Sequence, residues 1–503
     1  MPVEAAVSRK KRLVKNGIFS AVSWFVPLAL TFVVTPIVVR GLGHEIYGLY
    51  ALILGFISYS FAFGVGKIAA KFVSEYRAAG ESEKIAEIVS ATVWFSLAIA
   101  FGGTMVVVLA ARTIVDDLLA IPAEHHDTAV VAIYLACGTI TVTMLSQIFQ
   151  CVLQGAHRFD WYLLLTNLSA ALLNLGSAAL VLSGYGVVPL VAWNLIIVSV
   201  IAALFYFNAR RLVPEFRLTT RVPGASWSVV ARYGGSIILY QVFGNLIVIV
   251  ERGWTVRHFG TESLTFYVVP MMLGMYLHGF VGSLVLVLFP VVNELLGDRT
   301  RLIELYKKAT KLILAIAVFS FISAATGGAM LLGKWIGPEF AEVSYRLLVI
   351  HIATFAVLSV GTIAWQITEG FHRAGMNSVM AMLWFVISAP LIIVLSGAVG
   401  VEGVALARFA GVLVTIPMIY WVEKRLLGGG LTRFWLMNLP RLALAAISAG
   451  FVQWIAFSSL PSSWATLLFG WAAGFVGYAT VLLVSGFFDR EERAQFGALV
   501  FGR

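Results

Sequence analysis

Charge is scarce in this chain: Asp, Glu, Lys and Arg together make up 12% of its 503 residues. So few charged groups leave no room for a sizeable water-soluble domain. Cysteine is scarcer still, with 2 residues. Cys137 and Cys151 fall on one apolar run, about 21 Å apart if that run is helical, too far for a bridge within the chain. Both read as small packing residues. A phosphate-cradling loop is missing. The nearest match, Gly64-Val65-Gly66-Lys67-Ile68, lacks the leading glycine and the Ser or Thr after the lysine. That excludes an ATPase of this type, so energy for any transport comes from elsewhere. The basic N-terminus is not a cleavable signal either. The apolar run after it is too long and lacks a small-residue cleavage site, so it reads as a retained first helix.

Apolar sequence is what the chain has instead, at 60%. A helix needs roughly 20 mainly apolar residues to cross a bilayer core. Stretches of that order occur at 17–38, 46–66, 88–110, 128–153, 162–182, 187–207, 233–256, 264–291, 310–332, 344–368, 377–397, 401–422, 438–459 and 463–487. The expectation is an all-α polytopic membrane protein with about fourteen transmembrane helices. Lys and Arg favour cytoplasmic loops. With the N-terminus inside, 28 of the 35 basic residues lie on the cytoplasmic side. They include the Arg9 to Lys15 cluster, Arg210, Arg211, Arg217, Arg221 and Arg232, and the group from Arg299 to Lys311. Arg40, Arg112, Arg257 and Lys334 fall outside, while Arg252, Arg346 and Arg408 lie within or at the edge of spans. Both termini are therefore expected in the cytoplasm. The net charge of +10 is spread over many short segments, which argues against a nucleic-acid face.

The chain also repeats itself. VRGLGHEIYGLY follows the first run and VRHFGTESLTFY the seventh, pairing Arg40, Gly43, Glu45 and Tyr50 with Arg257, Gly260, Glu262 and Tyr267 at an offset of 217. The run Gln154 to Arg158 pairs with Glu369 to Arg373 at 215, and Val181 to Gly184 with Val394 to Gly397 at 213. Three matches in order predict two six-helix lobes in the same orientation, related by a pseudo-two-fold along the membrane normal, with a substrate site between them. The lobes are expected at 1–212 and 213–425, joined by the basic linker 208–231, with a final unrepeated pair at 426–503. Two similar lobes suit alternating access. A purely structural or receptor role is the bland alternative.

Several of these segments resemble a known family. GHEIYGLY leading into the second run, the G-x-G…A-A-K end of that run, LQGAHRF after the fourth and LFPVVNELLGD after the eighth are similar to one branch of the multidrug/oligosaccharidyl-lipid/polysaccharide exporter superfamily. That branch is the polysaccharide transporters. The resemblance covers roughly residues 11–425. It implies a flippase for an undecaprenyl-diphosphate-linked oligosaccharide of the O-antigen or exopolysaccharide kind, in the bacterial inner membrane. Its implied partners are the lipid-linked substrate, membrane lipids, and polymerase and glycosyltransferase components of the same pathway. No nucleic acid, cofactor or metal is implied. These motifs identify the branch better than the sugar.

A pyrophosphate head group requires positive charge in its cavity, since an unpaired dianion in low dielectric is very costly. Arginine suits it through bidentate contacts. In the seventh run Gln241, Asn245 and Arg252 fall within about 40° of one another on a helix, with Glu251 beside Arg252 where the family often has Asp. The stripe reads either as cavity lining or as an outer-interface Glu/Arg pair reaching water. Arg408 in the twelfth run, with a repeat-mate near Asn194, reads as cavity-facing or as an interhelical bond. Arg346 reads as an interface anchor. Gln147, Gln150 and Gln154 share one face of the fourth run, and Asn167 and Asn174 one face of the fifth. Their amides suit sugar hydroxyls and equally suit helix–helix bonding in a membrane. Pro27, Pro36 and Pro270 mark candidate bends.

Two rivals share the pattern. One is an ion-coupled drug or metabolite exporter of the same superfamily, which binding of small cationic drugs would reveal. The other is a membrane glycosyltransferase, ligase or polymerase. Asp116 and Asp117, in a short loop with Glu124, His125, His126 and Asp127, are its only candidate acids, so no catalytic residue is assigned.

Overall fold

The computed structural model describes residues 26–59, 66–295, 297–371, 373, 375–429, 431–489 and 492–493. Arg9 to Lys15, Gly64, Val65, Arg490 and Arg503 lie outside them. Described residues form helices and contain no strand. In chain order the helices are α1 (Val26–Leu42), α2 (His44–Tyr59), α3 (Gly66–Ala79), α4 (Ser82–Thr113), α5 (His126–Gly155), α6 (Phe159–Leu182) and α7 (Val187–Leu212). There follow α8 (Gly224–Glu294), α9 (Arg299–Trp335), α10 (Pro338–Gly370), α11 (Gly375–Val399), α12 (Val401–Val412), α13 (Thr415–Arg425), α14 (Thr432–Ser459) and α15 (Trp464–Val484).

Eleven helical segments among the described residues are long and apolar enough to cross a membrane. The expected fourteen spans do not map onto them one for one. Gln241–Val285, 45 residues long, takes in the seventh and eighth together. The loop expected there is reduced to one non-helical residue, Gly260, with φ 83° and ψ 169°. A residue without Cβ enters that region at no steric cost, so the chain turns without leaving helix on either side. Pro270, a candidate bend, lies within continuous helix instead. Val26–Leu42 is a shorter apolar helix, and α2 is 16 residues long.

Helix faces are sorted as a membrane protein requires. α15 buries Thr466, Leu467, Gly470, Gly474, Tyr478 and Leu482. Its opposite face exposes Leu468, Phe469, Phe475 and Val476. A helix apolar all round, with its small and polar residues turned inward, packs by close backbone approach and not by hiding grease from water.

The repeat is visible in local backbone. Gly43 and Gly260 are pair-mates and share the left-handed region, at φ 79° and 83°. At the end of α5 the Arg158 N–H donates to Leu153 O (2.8 Å), and at the end of α10 Arg373 N–H donates to Thr368 O (2.7 Å). These are the same bond at the same offset, the six-to-one bond of a helix stop. The third pair diverges. α6 stops at Gly184 (φ 82°), whereas α11 runs past Gly397 and ends before Gly400 (φ 65°).

Packing groups Val22–Thr265 in one unit and the chain from Phe266 onward in another. This division follows contact, and the one expected at 212/213 follows sequence likeness; they differ because the first part of α8 packs on α2. In the first unit α5 packs against α7, α4 and α3 over a core that includes Ile68, Ile88, Val152, Phe205 and Phe216. In the second, α9 packs against α10 and α14, and α11 against α12. Asp298 caps α9 by accepting from the Arg301 N–H at 3.2 Å, and Ser463 caps α15 by accepting from Thr466 N–H at 3.0 Å.

The final pair is firmly docked on α9. The Gln453 carboxamide accepts from Thr326 Oγ1 at 2.5 Å and donates to Ser323 Oγ at 3.1 Å. Tyr478 OH donates to Ala315 O (3.0 Å). Farther along, Tyr306 OH and Trp435 Nε1 both donate to the buried Glu423 carboxylate at 2.8 Å, tying α9, α13 and α14 together. Past α15, Lys311 pairs with Glu492 at 2.9 Å.

Candidate functional site

In the first unit, α2 gives α8 a flat seat. Gly48 faces the backbone of Thr261 and Gly55 faces the Arg252 guanidinium so closely that a Cβ at either position would collide. Thr265 Oγ1 donates to His44 O. Arg252 Nη1 donates to Ala51 O, and its guanidinium carbon stands 5.6 Å from the Tyr59 ring centroid. Arg252 is 8% exposed and Glu251 0%, so neither side chain reaches the surface as a water-seeking interface pair would. On the same stripe, Gln241 Oε1 and Asn245 Nδ2 are buried without a hydrogen-bond partner among the described residues. A buried amide atom left unsatisfied is costly, and the stripe thus presents polar groups able to take up a polar guest.

Arg252 also lines a cavity of about 440 Å³. Its walls are Leu52, Ile53 and Phe56 of α2, Ile114, Leu118 and Leu119 from the turn after α4, and Ile249, Trp254 and Arg257 of α8. Arg257 Nη1 donates to Asp117 O and to Leu118 O, which holds that turn against α8. The cavity is therefore greasy, with two guanidinium groups in its wall.

The second unit holds Arg408, only 2% exposed. Its Nη1 lies 3.7 Å from Met271 Sδ, and its guanidinium carbon is 5.7 Å from the ring centroids of both Phe355 and Trp384. Aromatic faces stabilise a cation in a dry site. Nearby, His351 is fully buried with neither ring nitrogen hydrogen-bonded among the described residues, its ring edge-on to Tyr267 at 4.7 Å. His278 meets Ser359 Oγ at 3.1 Å.

The other candidates are more local. Gln150 Nε2 donates to Ser146 Oγ (3.1 Å) and Asn174 Nδ2 to Ala170 O (2.9 Å), each on its own helix. Gln147 and Gln154 are half-buried, and Asn167 Oδ1 is buried without a partner among the described residues. Asn194 is half-buried. Arg346 is exposed and pairs with Glu402 at 3.6 Å. His351 and Gly55 escape a reading of the sequence, and Gly48 enters it only as part of GHEIYGLY. Signals existed for them: an ionisable residue inside an apolar run, and glycines seven apart on one helix face, which admit a close neighbour.

The family described as polysaccharide biosynthesis protein matches residues 13–296, more than half of the chain. The chain belongs to this family. It is 18% identical over 427 residues to a candidate O-antigen transporter of Shigella flexneri, covering 82% of this chain and 98% of that one. In fold it is similar to the lipid II flippase MurJ in an inward closed conformation, with a TM-score of 0.71 at 13% identity, covering 93% of this chain and 98% of MurJ. It is also similar to an inward-facing multidrug resistance MATE transporter of the MOP superfamily, with a TM-score of 0.67 at 15% identity, covering 81% and 98%. This member of the polysaccharide biosynthesis family is a multi-pass membrane protein, and its fold is that of the lipid II flippase and the MATE transporter.

Proposed function

We propose that the protein is a flippase carrying an undecaprenyl-diphosphate-linked oligosaccharide from the cytoplasmic to the outer leaflet of a bacterial inner membrane. It works by alternating access of the lobes 1–212 and 213–425, with 426–503 as an added pair. Both termini face the cytoplasm, and the chain catalyses no bond change. The observation that carries the reading is the burial of two guanidinium groups, Arg252 and Arg408, at 8% and 2% exposure, in units built of apolar helices. An ionisable residue inside an apolar span is a functional position by default, and a lipid diphosphate is the anion that a transporter of this family would meet. The same two charges oppose a cationic drug. Gln241, Asn245, Gln147, Gln150, Gln154, Asn167 and Asn174 supply amides for sugar hydroxyls, and Glu251 sets the charge beside Arg252.

The test is export of polysaccharide in cells whose own copy is deleted. Arg252→Ala and Arg408→Ala are each expected to abolish export while protein in the membrane stays near wild type. The Lys variants should retain part of the activity, since charge survives and the bidentate fork does not. Unchanged export in both alanine variants would overturn the assignment of these arginines to the diphosphate.

A further inference from the structure

We infer that Glu45, Glu124 and His125 form a binding site for a transition-metal dication, with Zn²⁺ the ion that fits best. His125 Nε2 lies 3.5 Å from Glu45 Oε1 and 3.8 Å from Glu124 Oε1. The donor atoms of all three lie within 4.8 Å of one another. These separations are too long for hydrogen bonds. They are close to the spacing of donors that face a common centre, because two ligands each roughly 2.0–2.1 Å from a tetrahedral zinc stand about 3.4 Å apart. Two carboxylates held this near each other repel, and a dication between them turns that repulsion into attraction. One imidazole with two carboxylates neutralises such an ion, and the imidazole selects Zn²⁺ or its neighbours over Ca²⁺ and Mg²⁺.

The backbone prepares the three donors separately. Glu45 stands in the first turn of α2, two residues after the left-handed Gly43 (φ 79°). Glu124 and His125 belong to a single short turn, Ala123–His125, entered from Pro122. The next residue, His126, is already engaged, with Nε2 2.6 Å from Ile121 O and Nδ1 3.0 Å from Asp116. That fixes the turn and leaves His125 to face Glu45. The His125 side chain is 18% exposed and that of Glu124 72%, so an ion can enter from water and keep a water as its fourth ligand.

Such an ion cross-links two walls of the 440 Å³ cavity. The connection after α4 supplies Ile114, Leu118 and Leu119 to it, and α2 supplies Leu52 and Ile53. Binding therefore staples the connection to α2 beside the cavity, whatever the cavity carries.

The experiment uses the full chain purified in detergent with any polyhistidine tag removed, stripped with chelator and titrated with Zn²⁺ by calorimetry. Co²⁺ serves as a spectroscopic reporter that Zn²⁺ displaces. One ion per chain is expected. Glu45→Gln and His125→Gln should each weaken binding by at least about 10-fold, the loss that removing even an outer-shell partner brings. Glu262→Gln, at the neighbouring His44–Glu262 pair (3.8 Å), should leave it unchanged. Size-exclusion profiles matching the wild type show that the variants are folded. No binding by the wild type, equal binding by the two ligand variants, or Mg²⁺ competing as well as Zn²⁺ would each overturn the site.

Discussion

Gly55 shows how much one missing side chain controls. The Arg252 guanidinium occupies the space where a Cβ would stand and donates to Ala51 O one turn away. Gly55→Val is therefore expected to push the guanidinium off α2 and reduce export as Arg252→Ala does. The overpacking should lower stability by about 1–3 kcal/mol, read as a shift in thermal unfolding midpoint in detergent. Full export by Gly55→Val would show that the guanidinium's seat on α2 is irrelevant to transport. Arg252 and Arg408 were legible in the sequence because a charge in an apolar run is conspicuous whatever surrounds it. Gly55 and His351 were not, because their meaning comes from a distant segment: α8 for Gly55, Arg408 and Tyr267 for His351. The amide stripes were half legible. Their spacing places them on one face, yet Gln150 and Asn174 spend their N–H groups on their own helices.

At the scale of elements, the docking of α14 and α15 on α9 depends on a few polar contacts. Gln453→Leu keeps volume and strands the hydroxyls of Thr326 and Ser323. Hydrogen bonds between membrane helices average about 0.6 kcal/mol and reach about 1.7. The expected loss in unfolding free energy lies in that range, measured by denaturation in micelles, and a loss above it would mean that packing around Gly474 had also failed. Beyond α15, the Glu492 N–H donates to Asp489 Oδ1 at 2.8 Å and, with Lys311 and Lys308 near, holds the Asp489 carboxyl below its ordinary value of 3.8. A depressed carboxylate stabilises the fold above its unfolded pKa, and that contribution disappears as pH falls through the lower folded value. Thermal midpoints should decline over that acidic window in the wild type and decline less in Asp489→Asn. The presence of the apolar helices was readable from apolar length, but the fusion within α8 was not, since one glycine at φ 83° does what a loop was expected to do.

For the whole molecule, orientation is the open quantity that charge alone proposes. With Cys137 and Cys151 replaced by Ala, Glu124→Cys should react with a membrane-impermeant maleimide on intact spheroplasts, and Ser228→Cys only after permeabilisation. The reverse pattern would invert the proposed topology. Fold class was readable from composition because apolar length is a bulk property. The location of the cavity was not, because it depends on how α2, α4, α5 and α8 meet. The outward-turned Leu468, Phe469, Phe475 and Val476 of α15 carry one more consequence. A lipid-facing position asks of its residue only that it be greasy, so almost any apolar exchange there passes unnoticed by selection. Two chains at 13% identity can then share a fold, as the TM-score of 0.71 shows. Inward positions such as Gly48 and Gly474 have no such freedom, since a Cβ there would meet the Thr261 backbone or the Gln453 side chain.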